Sequence, residues 1–392
     1  MQINKIRVHH IKLPFAFDFS HSLRKRSSAK NVIVEIIAEQ GKIKGYGEGA
    51  PRSYVTGESQ DSAVKSIQRF LKKSTFPWDL NDVSQIRDFV DSLSKDKDHN
   101  AAICALETAL LDALGKRQNR YIMDYFSQDF IAGDVYYGVS IPLADKQTVS
   151  KLCQLSRKMN ISKLRLKLGK DFEQNKAIIE TVHSVFGKDC DQRADINCSW
   201  DKKLAFKHIS LIEKYKIRVV EQPMALDDLD VADFAGAMQA SGVVLMADES
   251  ACSLSDVKKI VKEGYYKMVN VRLSKCGGFR KSLEIIDYLR SNKISFQTGC
   301  HLGESGVLSA AGRVLCLLCR DAVYYDGSYD NYLLKENITR ENVTFGSGGK
   351  AGPLTGPGLG VEVNRQNLAR LSAISDSITS PATLKQDLLL RN

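Results

Sequence analysis

Residues 163–169 read Lys163-Leu164-Arg165-Leu166-Lys167-Leu168-Gly169. Leucines alternating with basic residues and closed by a glycine predict a short strand with Lys167 at its carboxyl end and Arg165, two residues earlier, on the same face. The unit recurs. Short apolar strands are predicted at 135–141, 163–168, 191–197, 218–221, 243–248, 268–273, 294–298 and 322–325, and they alternate with amphipathic helices, the grammar of a parallel sheet. At or just beyond successive strand ends stand Lys167, Asp195, Glu221, Asp248, Lys275, Cys300 and Asp326, spaced by 28, 26, 27, 27, 25 and 26 residues. One strand, one helix and two loops fill that period. Eight such strands predict a closed barrel, in which all carboxyl ends open on one face and these side chains converge on a single pocket.

Ahead of the barrel the pattern differs. Lys5-Ile6-Arg7-Val8 alternates, 31–38 is rich in Val and Ile, and Gly41, Gly45, Gly47 and Gly49 read as turn punctuation. Helices are predicted at 59–72, 83–93 and 100–114, the last Ala-rich and ending at Gly115. Sheet first and helices afterwards describe a separate α+β domain of roughly 125 residues. After the barrel, Val361-Glu362-Val363 and a helix at 366–371 are expected to return to that domain, and the Ser/Thr-rich 372–392 reads as a loosely held tail. The expected domains are 1–130, 131–355 and a returning segment 356–392.

Composition narrows the class. The 392 residues are 43% apolar and 26% charged, with 27 Gly and 8 Pro, ordinary values for a globular protein. No apolar run reaches the roughly 18–20 residues of a membrane span, and the first 31 residues carry His, Lys and Arg where a signal peptide needs an apolar centre. Nine irregularly spaced cysteines fit a reducing compartment, so a cytoplasmic location without membrane attachment is expected. Cys316 and Cys319 form a CxxC inside an apolar helical run and read as core thiols rather than zinc ligands. The net charge of +10 permits an anionic partner. Nucleic acid is not expected, because the dense cluster Arg24-Lys25-Arg26 with Lys30 lacks interleaved aromatics.

The strand ends carry chemistry. Asp195, Glu221 and Asp248 on consecutive strands would repel one another in one pocket unless a cation joined them. An all-oxygen set without Cys or His points to Mg2+, and the bland alternative is a salt-bridge network with nearby lysines. Lys167 and Lys275 flank those strands, so two bases would face one carbon, with Arg165 able to lower the pKa of Lys167. Alternatively both lysines stay charged as partners of the carboxylates. Metal plus bases points to removal of the proton α to a carboxylate, giving an enediolate.

Five motifs in order, 163–169, Asp195-Ile196-Asn197, Glu221-Gln222-Pro223, Asp248-Glu249-Ser250 and Lys275-Cys276-Gly277-Gly278, resemble the barrel motifs of the enolase superfamily, specifically its muconate-lactonizing subgroup. The resemblance includes 105–112 before the barrel and Gly358-Leu359-Gly360-Val361 after it. It implies an α+β capping domain, completed by C-terminal residues, over a (β/α)7β modified TIM barrel. It further implies Asp195, Glu221 and Asp248 as Mg2+ ligands and Lys167 with Lys275 as the general acid/base pair. Two cap loops, 17–26 and 54–58, would reach the pocket and bring Arg24, Arg26 and Thr56 to the substrate. Arg165, Asn197, His301, Glu304, Tyr324 and Asp326 complete the expected substrate contacts. Dipeptide epimerases of the subgroup hold the substrate ammonium with an Asp-x-Asp on the last strand, where this chain has Tyr324-Tyr325-Asp326. The implied activity is racemisation or epimerisation of an amino-acid derivative or dipeptide, a small carboxylic acid. A muconate-type cycloisomerase, an o-succinylbenzoate synthase-like dehydratase and a noncatalytic binding protein are the alternatives. The same resemblance implies a homo-oligomer, dimer or octamer.

Overall fold

Alternating apolar residues in the first fifty positions build an antiparallel sheet of β1 (Ile3–His21), β2 (Arg24–Ala38) and β3 (Ile43–Gly49) in the computed structural model. The structure describes residues 1–21 and 24–384, without the side chains of 17–26 and 374–375. Ile6, Val8, Ile33 and Val34 are fully buried in this sheet. Its fourth strand comes from the far end of the chain: β14 (Ser372–Thr379) pairs antiparallel with β1, Ile378 opposite Ile6, giving the order β14-β1-β2-β3. This corrects the expectation of a loose tail. The alternation of Ile and Thr with Ser suits an edge strand, which needs main-chain pairing more than an apolar face.

Helices α1 (Gln60–Phe70) and α2 (Val83–Asp91) start at capping boxes on Ser59 and Asp82, and α3 (Asn100–Gln118) lies across the sheet. Gly45, Gly47 and Gly49 are inside β3 rather than in turns, and the reason is the approach of α3. A Cβ on Gly47 would stand 2.1 Å from the Ala105 carbonyl oxygen, and one on Gly49 would stand 2.2 Å from that of Ala101. The strand's glycines at i, i+2, i+4 therefore meet the helix's alanines at i, i+4, i+8, backbone against backbone. The helix also runs past Gly115 to Gln118, where Asn119 in the left-handed region (φ 50°) ends it. Gly115 serves a contact instead, since a Cβ there would be 2.8 Å from the Cα of Gly358.

The barrel strands are β5 (Val139–Ile141), β6 (Lys163–Lys167), β7 (Asp191–Asp195), β8 (Val219–Glu221), β9 (Val244–Ala247), β10 (Met268–Arg272), β11 (Ser295–Gly299) and β12 (Tyr324–Tyr325), parallel neighbours in sequence order. The Gly138 N–H donates to the Tyr325 carbonyl at 2.9 Å and joins the last strand to the first. All eight predicted strands are present, although 135–141 splits into β5 and a two-residue β4 (Val135–Tyr136) that pairs with β13 (Lys350–Ala351). Helices α4 (Lys146–Lys158), α5 (Phe172–Phe186), α6 (Lys202–Lys214), α7 (Val231–Ala240), α8 (Leu254–Glu263), α10 (Gly278–Ser291) and α11 (Gly306–Leu317) connect them, with a short turn α9 (Leu273–Cys276) carrying Lys275. An α12 turn (Asp330–Leu333) and α13 (Arg365–Leu371) follow. Seven helical connections between eight parallel strands, beneath an α+β sheet domain completed by the C-terminal strand, make the expected modified TIM barrel.

Buried carboxylates of the first domain dock on the barrel. Glu48 on β3 accepts the N–H groups of Ser305 (3.1 Å) and Leu308 (3.0 Å) at the start of α11, and Glu107 on α3 accepts the Arg280 N–H (2.9 Å) in the first turn of α10. Helix N-termini leave such donors unpaired and carry partial positive charge, so an anion is favoured there.

Candidate active site

Strand register sets the site. Lys167 pairs with Asp195 and Asp195 with Glu221 across β6, β7 and β8, so their Cα atoms stand side by side at the roughly 4.8 Å strand spacing. Asp248 follows β9 directly. Asp195, Glu221 and Lys275 have no solvent exposure and Asp248 has 1%.

These groups form one network. The Lys167 ammonium donates to Asp195 Oδ2 (2.5 Å) and Asn197 Oδ1 (2.8 Å), and Asn197 in turn donates to Glu249 Oε1 (2.8 Å). A terminal nitrogen of Arg165 lies 3.7 Å from Asp195, 3.6 Å from Glu221 Oε2 and 3.3 Å from Asp326. Arg272 hydrogen-bonds Asp248 and reaches within 3.4 Å of Glu221, which also accepts from Asn270 (2.7 Å). Lys275 donates to the Asp248 carbonyl (2.7 Å), the Asp248 carboxylate (3.0 Å) and the Asn270 carbonyl (2.7 Å), which uses all three of its protons.

The electrostatics follow. Burial and the anions Asp195 and Asp248 push Glu221 up to about 7. Burial opposes ionisation of Asp248 as well, but Arg272 and Lys275 hold it well below the usual carboxylate range. Burial would lower Lys275, yet Asp248 outweighs it and keeps the amine protonated. Glu249 is pushed up to about 8 by burial and by Asp248 and Asp195.

Among the described residues no three His, Cys, Asp or Glu side chains form a ready-made metal cage, because the carboxylates are taken up by cations. The salt-bridge network and the ligand set thus draw on the same atoms. The chemistry of the donors nevertheless fits a hard divalent cation. All are oxygens, and Glu221 Oε2, fully buried, has no hydrogen-bond partner among the described residues.

A cavity of about 250 Å3 opens beside the network. Arg165, Lys167, Asn197, Glu249 and Arg272 line its polar end. Leu152, Leu155 and Met159 of α4, with Leu302, Leu333 and Phe345, line the rest. Tyr54 of the 54–58 loop also reaches the wall. Of the expected contacts, Arg165, Lys167 and Asn197 are there. Lys275 is behind Asp248, outside the wall.

Other expected contacts go elsewhere. Thr56 donates to Glu58 (2.9 Å) and stays buried. Tyr324 is a correction: its hydroxyl donates to Asp191 (3.0 Å), the first residue of β7, and its ring covers Arg193 at 4.1 Å, so it fills the opposite end of the barrel. Asp326 is buried between Arg193 (2.9 Å) and Arg165, which hold it near 2 against the effect of burial. His301 and Glu304 border a separate void of about 10 Å3, where the His301 N–H donates to Glu304 at 2.6 Å. Burial, then Arg272 and Arg52, keep the His301 ring well below its ordinary value and neutral, and burial raises Glu304 to about 8. The side chains of Arg24 and Arg26 lie outside the described residues.

Several participants were not read from the sequence. Gln222 has φ 38°, and its amide oxygen accepts from the N–H of Asp248 (2.9 Å) and the hydroxyl of Ser250 (2.9 Å), which fixes the 248–250 segment. Asn270 and Arg272 on β10 face the interior two residues apart, and that alternation was the available signal. Glu249 could have been found by its place next to Asp248.

Comparison with known proteins follows this geometry. The model of the mandelate racemase / muconate lactonizing enzyme N-terminal domain matches residues 4–126, and that of the enolase C-terminal domain-like family matches residues 148–367. A hydrophobic dipeptide epimerase of Enterococcus faecalis is 26% identical over 379 residues, 95% of this chain and 97% of that protein. An L-Ala-D/L-Glu epimerase of Bacteroides thetaiotaomicron is 31% identical over 304 residues, 75% of this chain and 73% of that protein. The crystal structure of an N-succinyl Arg/Lys racemase from Bacillus cereus superposes with a TM-score of 0.85 at 23% identity, covering 96% of this chain and all of that one.

Proposed function

This chain belongs to the mandelate racemase / muconate lactonizing enzyme family of the enolase superfamily, and from that premise we propose that it is a Mg2+-dependent isomerase that racemises or epimerises an amino-acid derivative at the carbon α to its carboxylate. The observation that carries the reading is the Lys167 amine, which lines the cavity while held by Asp195 and Asn197 at its polar end. Asp195, Glu221 and Asp248 would hold the ion, which when bound would fix the substrate carboxylate and offset the charge that proton loss leaves on it.

The chain's own residues do the rest. Lys167 takes the α-proton when neutral, and the carbonyl oxygen of Asn197 orients its amine. Lys275 begins protonated and gives a proton to the opposite face of the planar carbon, the step that inverts the centre. Its three acceptors show the cost of releasing that proton, so the two lysines play unequal parts in the resting protein. Leu152 of α4, with Leu302 and Leu333, would limit water at the reacting carbon. No helix among the described residues is long and apolar enough to cross a membrane; a homo-oligomer is proposed on family grounds.

The test is proton NMR in D2O with Mg2+ and N-acylated amino acids, dipeptides and muconate. Exchange of the α-hydrogen with loss of optical purity is expected. Lactone formation without exchange of an amino-acid α-hydrogen would overturn the reading.

A further inference from the structure

The face of the first domain's sheet that turns away from α3 carries charge. Gly45, Gly47 and Gly49 meet α3, so Lys44 and Tyr46 on the same strand point the other way. Strand register sets Arg7 of β1, Glu35 of β2 and Tyr46 of β3 side by side across that face. The returning helix α13 lies over them. Between helix and sheet runs a groove of about 400 Å3, lined by Arg7, His9, Glu35 and Lys44 from the strands and by Arg365 and Leu368 from the helix. A second hollow of about 260 Å3 shares Lys44 and Arg365 with it and adds Lys42, Lys116 and Glu362.

The charges there do not balance. Glu35, its side chain 4% exposed, is the one acid among the described residues lining the larger groove. It is divided among the Tyr46 hydroxyl (3.1 Å), His9 Nε2 (3.3 Å), Arg7 (3.4 Å) and Lys44 (3.7 Å). Burial opposes its ionisation, but His9, Arg7 and Lys44 hold it near 2, so its charge is already committed. Arg365 hydrogen-bonds the Tyr46 hydroxyl, a neutral partner. In the second hollow Lys116 is matched by Asp112 (2.9 Å), which leaves Glu362 alone to face Lys42 and the shared pair. A single committed carboxylate therefore serves Arg7, Lys44 and Arg365. The side chain of Lys44 is 20% exposed and that of Arg7 42%, so water supplies only part of the missing counter-charge.

We infer that this groove binds a small oxyanion of two or more negative charges, phosphoryl or carboxylate in origin, held by Arg7, Lys44 and Arg365. Guanidinium groups offer paired N–H donors that fit either kind of oxyanion, and the ammonium adds a point charge. Arg7 and Lys44 belong to the first strands and Arg365 to the returning helix, so the anion fastens the C-terminal segment onto the sheet. None of the three lines the catalytic cavity. Calorimetry on the full chain, without Mg2+ and at constant pH and ionic strength, tests this with pyrophosphate, citrate and acetate. Pyrophosphate or citrate is expected to bind at least tenfold tighter than acetate, and the tighter of the two names the source of the oxyanion. Arg365→Ala, at an exposed position, should weaken that binding at least tenfold, the order of a lost charge-assisted hydrogen bond, and Arg7→Ala severalfold. Lys262→Ala, exposed on α8, and Lys167→Met should leave it unchanged. Amide hydrogen exchange at 365–371 should slow when the anion binds the parent protein and not in Arg365→Ala. Equal weakening in Lys262→Ala would reveal only the diffuse field of a basic chain, and loss in Lys167→Met would put the anion in the catalytic cavity. Either result overturns the proposal, as does binding no tighter than that of acetate or exchange at 365–371 that the anion leaves unaltered.

Discussion

Lys167 and Lys275 should respond differently to the same substitution, because the structure uses their amines differently. In Lys167→Met, Asp195 keeps the Asn197 N–H (3.1 Å) and Arg165 (3.7 Å) as partners. The loss to stability should stay near 1.5–3 kcal/mol, the order of one hydrogen bond to a charged group. Turnover should fall by 10² to 10⁴, the range for a positioned general base, or about 2.7–5.5 kcal/mol of barrier. In Lys275→Met three acceptors lose their donor at once, among them the Asp248 carboxylate, which is 1% exposed. Breaking one side of a buried ion pair costs about 3–5 kcal/mol, so this variant should unfold at clearly lower urea concentration. The assay pairs urea unfolding with α-deuterium uptake by an accepted substrate. Exchange in Lys167→Met within tenfold of the parent would refute the assignment of the base, and equal stability of the two variants would refute the account of Lys275.

Glu58 and Glu107 are both raised to about 7, chiefly by burial, from an ordinary value near 4.5. Between those pH values the folded chain holds more protons than the unfolded one, so their contribution to stability falls as pH rises through the window; Glu107→Gln should flatten that slope in melting temperature against pH. Glu35 and Asp326, lowered to about 2 through His9 and through Arg193 against burial, act in the opposite sense and lose their contribution as pH falls below about 4. Gly47→Ala should cost about 3 kcal/mol or more in chemical denaturation, because its Cβ would meet main-chain atoms of α3 at 2.1–2.4 Å and backbone cannot step aside as a flexible side chain can. Mg2+ should raise the melting temperature of the parent protein, and Glu221→Gln should weaken the ion in calorimetry at least tenfold; unchanged affinity would remove Glu221 from the ligand set.

The barrel was legible because its period is long and regular, and six of the strand ends carry a charged residue that a strand would otherwise avoid. The β3 glycines were misread for a physical reason: glycine in a turn and glycine under a helix look alike locally, and only the alanines of 101–113, fifty residues on, distinguish them. Tyr324 was placed by its neighbourhood in a motif, whereas period-two alternation on a two-residue strand already turns it towards Asp191. Arg272 and Gln222 carry no signature of their own, since an arginine on a strand and a glutamine before a proline occur in many settings. Their roles come from partners 24 to 51 residues away in the chain.

Glu48 belongs to the cap by sequence and to the barrel by its hydrogen bonds, and Glu107 repeats the arrangement on the next helix. Each is a plug whose socket is encoded some two hundred residues away. A chimera that grafts another relative's cap onto this barrel would therefore need both plugs to arrive in register, or it would leave helix starts bare beneath the catalytic loops. Diversification by swapping whole domains is hindered, because both carboxylates have to be matched at once.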